Sequence, residues 1–205
     1  MKVTLTTVVF LALLLLGCSN DSTFPTSSDS EFTQHSNSPN WVKLPADLEG
    51  DFGVETGHSA EKLINGKDGG VIKLHFRIRR PGHEFGDFVV KAKVKVKRHS
   101  FPDDEERLFT ITMDQENAFL NISPSPNTLF KHVIVDWEIK GIDVSDINPD
   151  TFDFYYIGDN NEMLETSKNK LKVYYRQHKI QLMRGIIYPT NTEDTPSGAR
   201  YAFVR

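Results

Sequence analysis

The sequence predicts an all-β domain, an antiparallel sandwich or barrel, and three observations carry that reading. First, Ile72, Leu74, Phe76 and Ile78 alternate with Lys73, His75, Arg77 and Arg79, a period of two that puts one set of side chains on each face of a strand. Second, short blocks of this kind recur, separated by the turn-forming stretches NGKDGG, SPSPN, INPD, GDNN and TPSG. Third, no long stretch carries a helical period; residues 46–63 hold a helical turn or two at most. Many short strands with frequent turns are the pattern of sandwiches and barrels.

Ahead of that domain the chain reads differently. Lys2 and the amino terminus form a short positive region, and residues 8–16 are all apolar. Nine apolar residues fall well short of the ~20 needed for a permanent membrane span, so the run reads as the core of a secretory signal. It ends Leu15-Leu16-Gly17-Cys18, and Cys18 is the only cysteine in 205 residues. This ending resembles the lipobox of bacterial lipoproteins. The resemblance implies cleavage after residue 17, a diacylglycerol on the Cys18 sulfur and acylation of the new amine. Several acyl chains at ~0.8 kcal/mol per buried CH₂ make a stable anchor. In the lipoproteins it resembles, an Asp after the cysteine tends to retain the protein at the inner membrane. Ser19 stands here, so the expected address is the outer membrane.

Residues 18–40 follow as a tether. Residues 19–40 hold seven serines and neither Lys nor Arg, and they have too little apolar mass to offset the entropy of ordering. The domain expected over residues 41–205 contains no cysteine, so its stability rests on packing and hydrogen bonds.

Within it, the expected strands are the alternating run from Ile72, then FVVKAKVKVKR, LFTITM, AFLNI, FKHVIVDWEI, FDFYYI, KLKVYYR and RYAFVR. The glycines of NGKDGG read as a hairpin turn needing positive φ. Several of these segments, GKDGGVIKL, NISPSPNTLF with Pro126 and Phe130, DFYYIGDNN with Tyr156 and Asp159, and the closing Arg200-Tyr201-Ala202-Phe203, are similar to motifs of bacterial lipoproteins with a ZU-five-like domain. That resemblance implies an antiparallel β-sandwich acting as a structural or protein-interaction module, and it brings no catalytic residues.

The chemistry-bearing residues are sparse. The seven histidines form no two-histidine metal spacing, and GHEFGD lacks the second histidine of a zincin helix. No nucleophile elbow, Walker loop or dinucleotide fingerprint occurs. No cofactor is expected. Asp143, Asp146, Asp150 and Asp153 crowd one loop and are candidate calcium ligands, yet they match no EF-hand spacing and belong equally well in turns. Trp41, Trp137, Tyr155, Tyr156, Tyr174 and Tyr175 are candidate sugar platforms if exposed, and core residues if not.

Charge is the feature that stands out. The chain carries 24 basic and 28 acidic residues, a net −4 too mild to point to nucleic acid. Between Val71 and Arg98, however, nine basic residues face only Glu84 and Asp87. If this stretch pairs as a hairpin with its apolar side inward, Lys73, Arg77, Arg79, Lys91, Lys93, Lys95 and Lys97 share the outer face. Like charges opposed across strands lie ~5 Å apart, inside the ~8 Å screening length, and repel. Three readings stay open: the DDEE run at 103–106 folds back to neutralise them, the lysines guard an edge strand, or the face receives an anionic envelope polymer or glycan. The expected protein is therefore a membrane-anchored, non-enzymatic envelope lipoprotein acting as a structural or protein-interaction module, with binding of an anionic envelope polymer or glycan through the basic hairpin face as the alternative.

Overall fold

Eleven strands make up two packed antiparallel sheets in the computed structural model, which describes residues 40–45, 58–114, 117–157, 163–165, 170–189 and 198–205. The signal run, Cys18, the tether up to residue 39 and most of the 46–63 stretch lie outside them. All described residues belong to one compact unit, Ser38–Arg205.

The strands are β1 (Ser59–Asn65), β2 (Gly70–Ile78), β3 (Phe88–Val96), β4 (Glu106–Met113), β5 (Phe119–Ser123), β6 (Val133–Lys140), β7 (Asp153–Ile157), β8 (Met163–Glu165), β9 (Lys170–Tyr174), β10 (Lys179–Ile187) and β11 (Ala199–Val204). One sheet runs β1-β4-β5-β11-β7-β8 and the other β2-β3-β6-β10-β9. The expected sandwich is therefore the fold.

Each expected strand is present, and three others join them. β1 falls where helix was allowed. Its pattern is obscured because Leu63 points outward while Lys62, on the inner side, reaches to the Val71 carbonyl at 3.2 Å. β8 is only three residues long. β10 is hidden by a bulge between Leu182 and Gly185, where Arg184 takes φ 52° and the alternation slips by one residue. The NGKDGG turn also differs from expectation. Gly69 has φ +65° and its N–H donates to the Asn65 carbonyl at 2.9 Å, but the turn joins strands of different sheets instead of closing a hairpin.

The inner faces of both sheets make one core. Trp137 of β6 lies flat against Phe203 of β11, ring centroids 4.3 Å apart, and meets Phe154 of β7 edge-on at 6.0 Å. Phe154 in turn stacks on Tyr201. Val42 and Leu44 complete the core from outside the strands. Their segment is held because Val42 N–H donates to Phe203 O and Ala118 N–H donates to Val42 O. Trp41 then covers Phe119, Ile157 and Ala202 on the far side of the six-stranded sheet.

Trp137→Ala should cost ~3–5 kcal/mol, since its collapse would leave a void between the sheets. Tyr201 is fully buried, and its hydroxyl has no hydrogen-bond partner among the described residues. Burial, and secondarily Tyr156, pushes that hydroxyl's pKa well up. Tyr201→Phe should thus match or exceed wild-type stability, because it removes an unpaired polar group. Urea unfolding of both variants measures the contrast.

Candidate functional site: a basic sheet face

The hairpin of β2 and β3 forms in the register that the alternation requires, with Lys73 opposite Lys93 and His75 opposite Lys91. Apolar partners such as Leu74 and Ala92 point into the core, so the cations point out. β3 is an interior strand, flanked on its other side by β6, which removes the edge-guarding reading for its lysines. Tertiary pairing then extends the face. β6 contributes Asp136, Glu138 and Lys140, β10 contributes Lys179 and Gln181, and β9 contributes Lys170, Lys172 and Tyr174.

Register arranges these residues in rows across the sheet. One row runs His75, Lys91, Glu138, Gln181, Lys172. The next runs Lys73, Lys93 and Asp136, with Lys170 at its far end opposite Met183. A third runs Arg77, Val89, Lys140, Lys179, Tyr174. At ~4.8 Å between strands, each full row is ~19 Å long.

The carboxylates that neutralise the lysines of β3 are those of β6, and in the DDEE run Asp103 and Glu105 pair elsewhere. Glu138 receives Lys91 at 3.2 Å and Lys179 at 3.4 Å, and Asp136 meets Lys93 at 3.5 Å. Asp136 also accepts the backbone N–H of Arg184 at 2.9 Å, which ties the bulge to the face. In the DDEE run, Asp103 meets His99 at 2.6 Å and Glu105 meets Arg107 at 2.8 Å. Counting Asp87, three carboxylates on this face oppose nine Lys and Arg residues among the described residues, with exposed Arg184 beside them. A shallow depression of about 350 Å³ lies at its centre, bordered by Lys73, His75, Lys91, Lys93, Glu138 and Gln181.

The remaining candidates separate. Arg77 pairs with Asp87, whose carboxyl is held below its ordinary range first by the Arg80 backbone N–H and then by Arg77. Arg79 is exposed beyond the end of β2. Lys97, past the end of β3, is half-buried and donates to His132 Nε2 at 2.6 Å. Arg80, whose surroundings the charge count does not show, is buried: its guanidinium donates to the Gly86 carbonyl at 3.1 Å and to that of Gly141. Gly141 has φ +84°, and a Cβ there would strike the Asp87 carbonyl oxygen, so the clamp needs glycine.

In the acidic loop, Asp143 accepts the Ser145 N–H and Asp146 pairs with Arg205. Among the described residues no three His, Cys, Asp or Glu side chains converge to hold a metal. Of the candidate sugar platforms, Trp137 and Tyr156 pack in the core, Trp41 and Tyr155 against the small outer cluster, and Tyr174 lies under the Lys179 ammonium at 4.1 Å. Comparison with known proteins finds no family model, curated protein or solved structure that matches this chain.

Two pH windows follow from these surroundings. Burial lowers the pKa of His58, and burial followed by Lys97 lowers that of His132, from the ordinary 6.5. The unfolded chain binds those protons more readily, so this stability is fully present above pH 6.5 and is lost as pH falls through the lowered values. Asp87 and Asp143 are held below 3.8, so their contribution is present above 3.8 and disappears as pH falls through still lower values. Thermal melts from pH 8 to 2 should show both declines, and His132→Gln should reduce the first to the part that His58 contributes without moving the second.

Proposed function

We propose that this chain is an envelope lipoprotein anchored through Cys18 at the outer membrane, whose sandwich is a non-enzymatic module that binds an anionic envelope polymer or glycan. The observation that supports the binding reading is the sheet face itself: among the described residues, nine cations against three carboxylates on one surface of a chain that is −4 overall. A broad face of this kind suits an extended polyanion better than a single buried phosphate, because its donors are spread over ~19 Å instead of converging. The charge excess also raises the rate of encounter with a polyanion and makes it sensitive to salt. Among the described residues no helix is long and apolar enough to cross a membrane, and the anchor reading rests on the lipobox-like Leu15-Leu16-Gly17-Cys18.

A second reading, a protein-interaction module, is favoured by the ZU-five-like resemblance and by one feature of the opposite sheet. There Leu63 of β1 and Leu108 of β4 sit directly across from each other, 56% and 53% exposed.

Two experiments test the proposal. Cys18→Ser should abolish incorporation of labelled fatty acid and release the protein from membranes; labelling that survives the change sinks the anchor. For the face, Lys73, Lys91, Lys93 and Lys95 are changed together to Gln in the full chain, held in neutral detergent. At ~1 kcal/mol per cation near an anionic surface, affinity for dextran sulfate should drop on the order of 10²–10³-fold. Wild-type binding should weaken as salt rises. If wild type does not bind at low salt, or the variant binds equally well, the basic-face reading is overturned. A protein partner lost on Leu63→Ser with Leu108→Ser, and kept by the lysine variant, would establish the second reading in its place.

A further inference from the structure

Resting on the basic-face reading, we infer that the ligand is an acidic polysaccharide, with carboxylate groups and free hydroxyls on one chain, and that Asp136, Glu138 and Gln181 are its hydroxyl acceptors. A surface evolved only for phosphate or sulfate has use for donors alone, and every carboxylate on it weakens binding. Here two carboxylates and an amide occupy the middle of the face, between the cations of β2 and β3 and those of β9 and β10.

Their hydrogen-bonding capacity is only partly used. An ionised carboxylate offers about four acceptor sites. Glu138 spends one oxygen on Lys91 and the other on Lys179, and Asp136 spends Oδ1 on the Arg184 N–H and meets Lys93 through Oδ2. Each lysine in these pairs has three donors, and Lys91 makes one side-chain hydrogen bond here. The ion pairs therefore hold donor and acceptor side by side without exhausting either. Along the central row the groups run donor, acceptor, amide, donor from Lys91 through Glu138 and Gln181 to Lys172, at the ~4.8 Å strand repeat. A uronic acid presents the complement within one ring, a carboxylate for the lysine and hydroxyls for the carboxylate and amide. The depression over Lys91, Glu138 and Gln181, about 350 Å³, has the volume of a small-ligand site. Tyr174, at the end of the third row, lies under the Lys179 ammonium and holds that cation on the same face.

The test compares ligands of like charge in the full chain in neutral detergent at one low salt concentration: polygalacturonate, inorganic polyphosphate and phosphatidylglycerol vesicles. The inference expects polygalacturonate to bind at least tenfold tighter than polyphosphate per charge, and vesicles to bind more weakly than polygalacturonate. Glu138→Ala should weaken polygalacturonate several-fold while strengthening polyphosphate, because it removes an acceptor and a negative charge together. Glu138→Gln, which keeps one acceptor oxygen, should hold polygalacturonate near the wild-type affinity. Unchanged thermal midpoints exclude unfolding as the cause. Polyphosphate binding as tightly as polygalacturonate, or Glu138→Ala strengthening both, overturns the inference and leaves the basic face intact. Vesicles binding tightest would assign the face to a lipid surface and overturn it too. Failure of all three ligands to bind removes the basic-face reading along with it.

Discussion

The strand VIVDWEIK couples the core to the outer face, and most of the molecule depends on that coupling. Its pleat sends Trp137 inward onto Phe203 and Phe154, contacts that join the two sheets. Because side chains alternate strictly, Asp136 and Glu138 on either side of Trp137 must point outward. The same one-residue register that fills the core therefore places two carboxylates among the lysines of β3. A slip of one residue would expose the tryptophan and bury both charges, so packing and surface electrostatics enforce the same register.

That coupling explains how so basic a face remains compatible with folding. Lysines opposed across β2 and β3 repel, and surface ion pairs each contribute little, about 0–1 kcal/mol. Neutralisation here comes from adjacent strands of the sheet, with Glu138 shared between Lys91 and Lys179. Pairs of this kind cost little to order, because the sheet already fixes their Cβ positions. The cations at the margins, Lys73, Lys95, Lys170 and Lys172, are exposed and have no comparable carboxylate in the adjoining register positions. The face thus has an internally paired centre and a cationic border.

The hidden strands show where local pattern reading stops. β10 carries KIQLMRGII, whose alternation breaks at Met183 and Arg184 because a bulge inserts a residue. The break is itself stabilised from outside the strand, by the bond from the Arg184 N–H to Asp136. β1 is illegible for a different reason: at the edge of its sheet both Lys62, on the same side as buried Ile64, and the outward Leu63 are exposed, so the alternation is lost. In the sequence Arg80 is one more cation in a charge-rich stretch. Its burial depends on the bare backbone of Gly141, sixty-one residues away, coming close enough to accept from the guanidinium.

By itself the sequence determined the all-β class, the pairing of β2 with β3, and the outward direction of Lys73, Lys91, Lys93 and Lys95, because each follows from a period-two alternation between near neighbours. The Cys18 anchor is a proposal of the same local kind, resting on a pattern of adjacent residues. Only the tertiary structure decided what lies beside those lysines. Which strand pairs with β3, and which with β6, is a matter of contacts between residues some fifty positions apart, and no local periodicity encodes them. For that reason the neutralising carboxylates belong to β6 and not to the DDEE run, and the basic face reaches as far as Lys170 and Lys172.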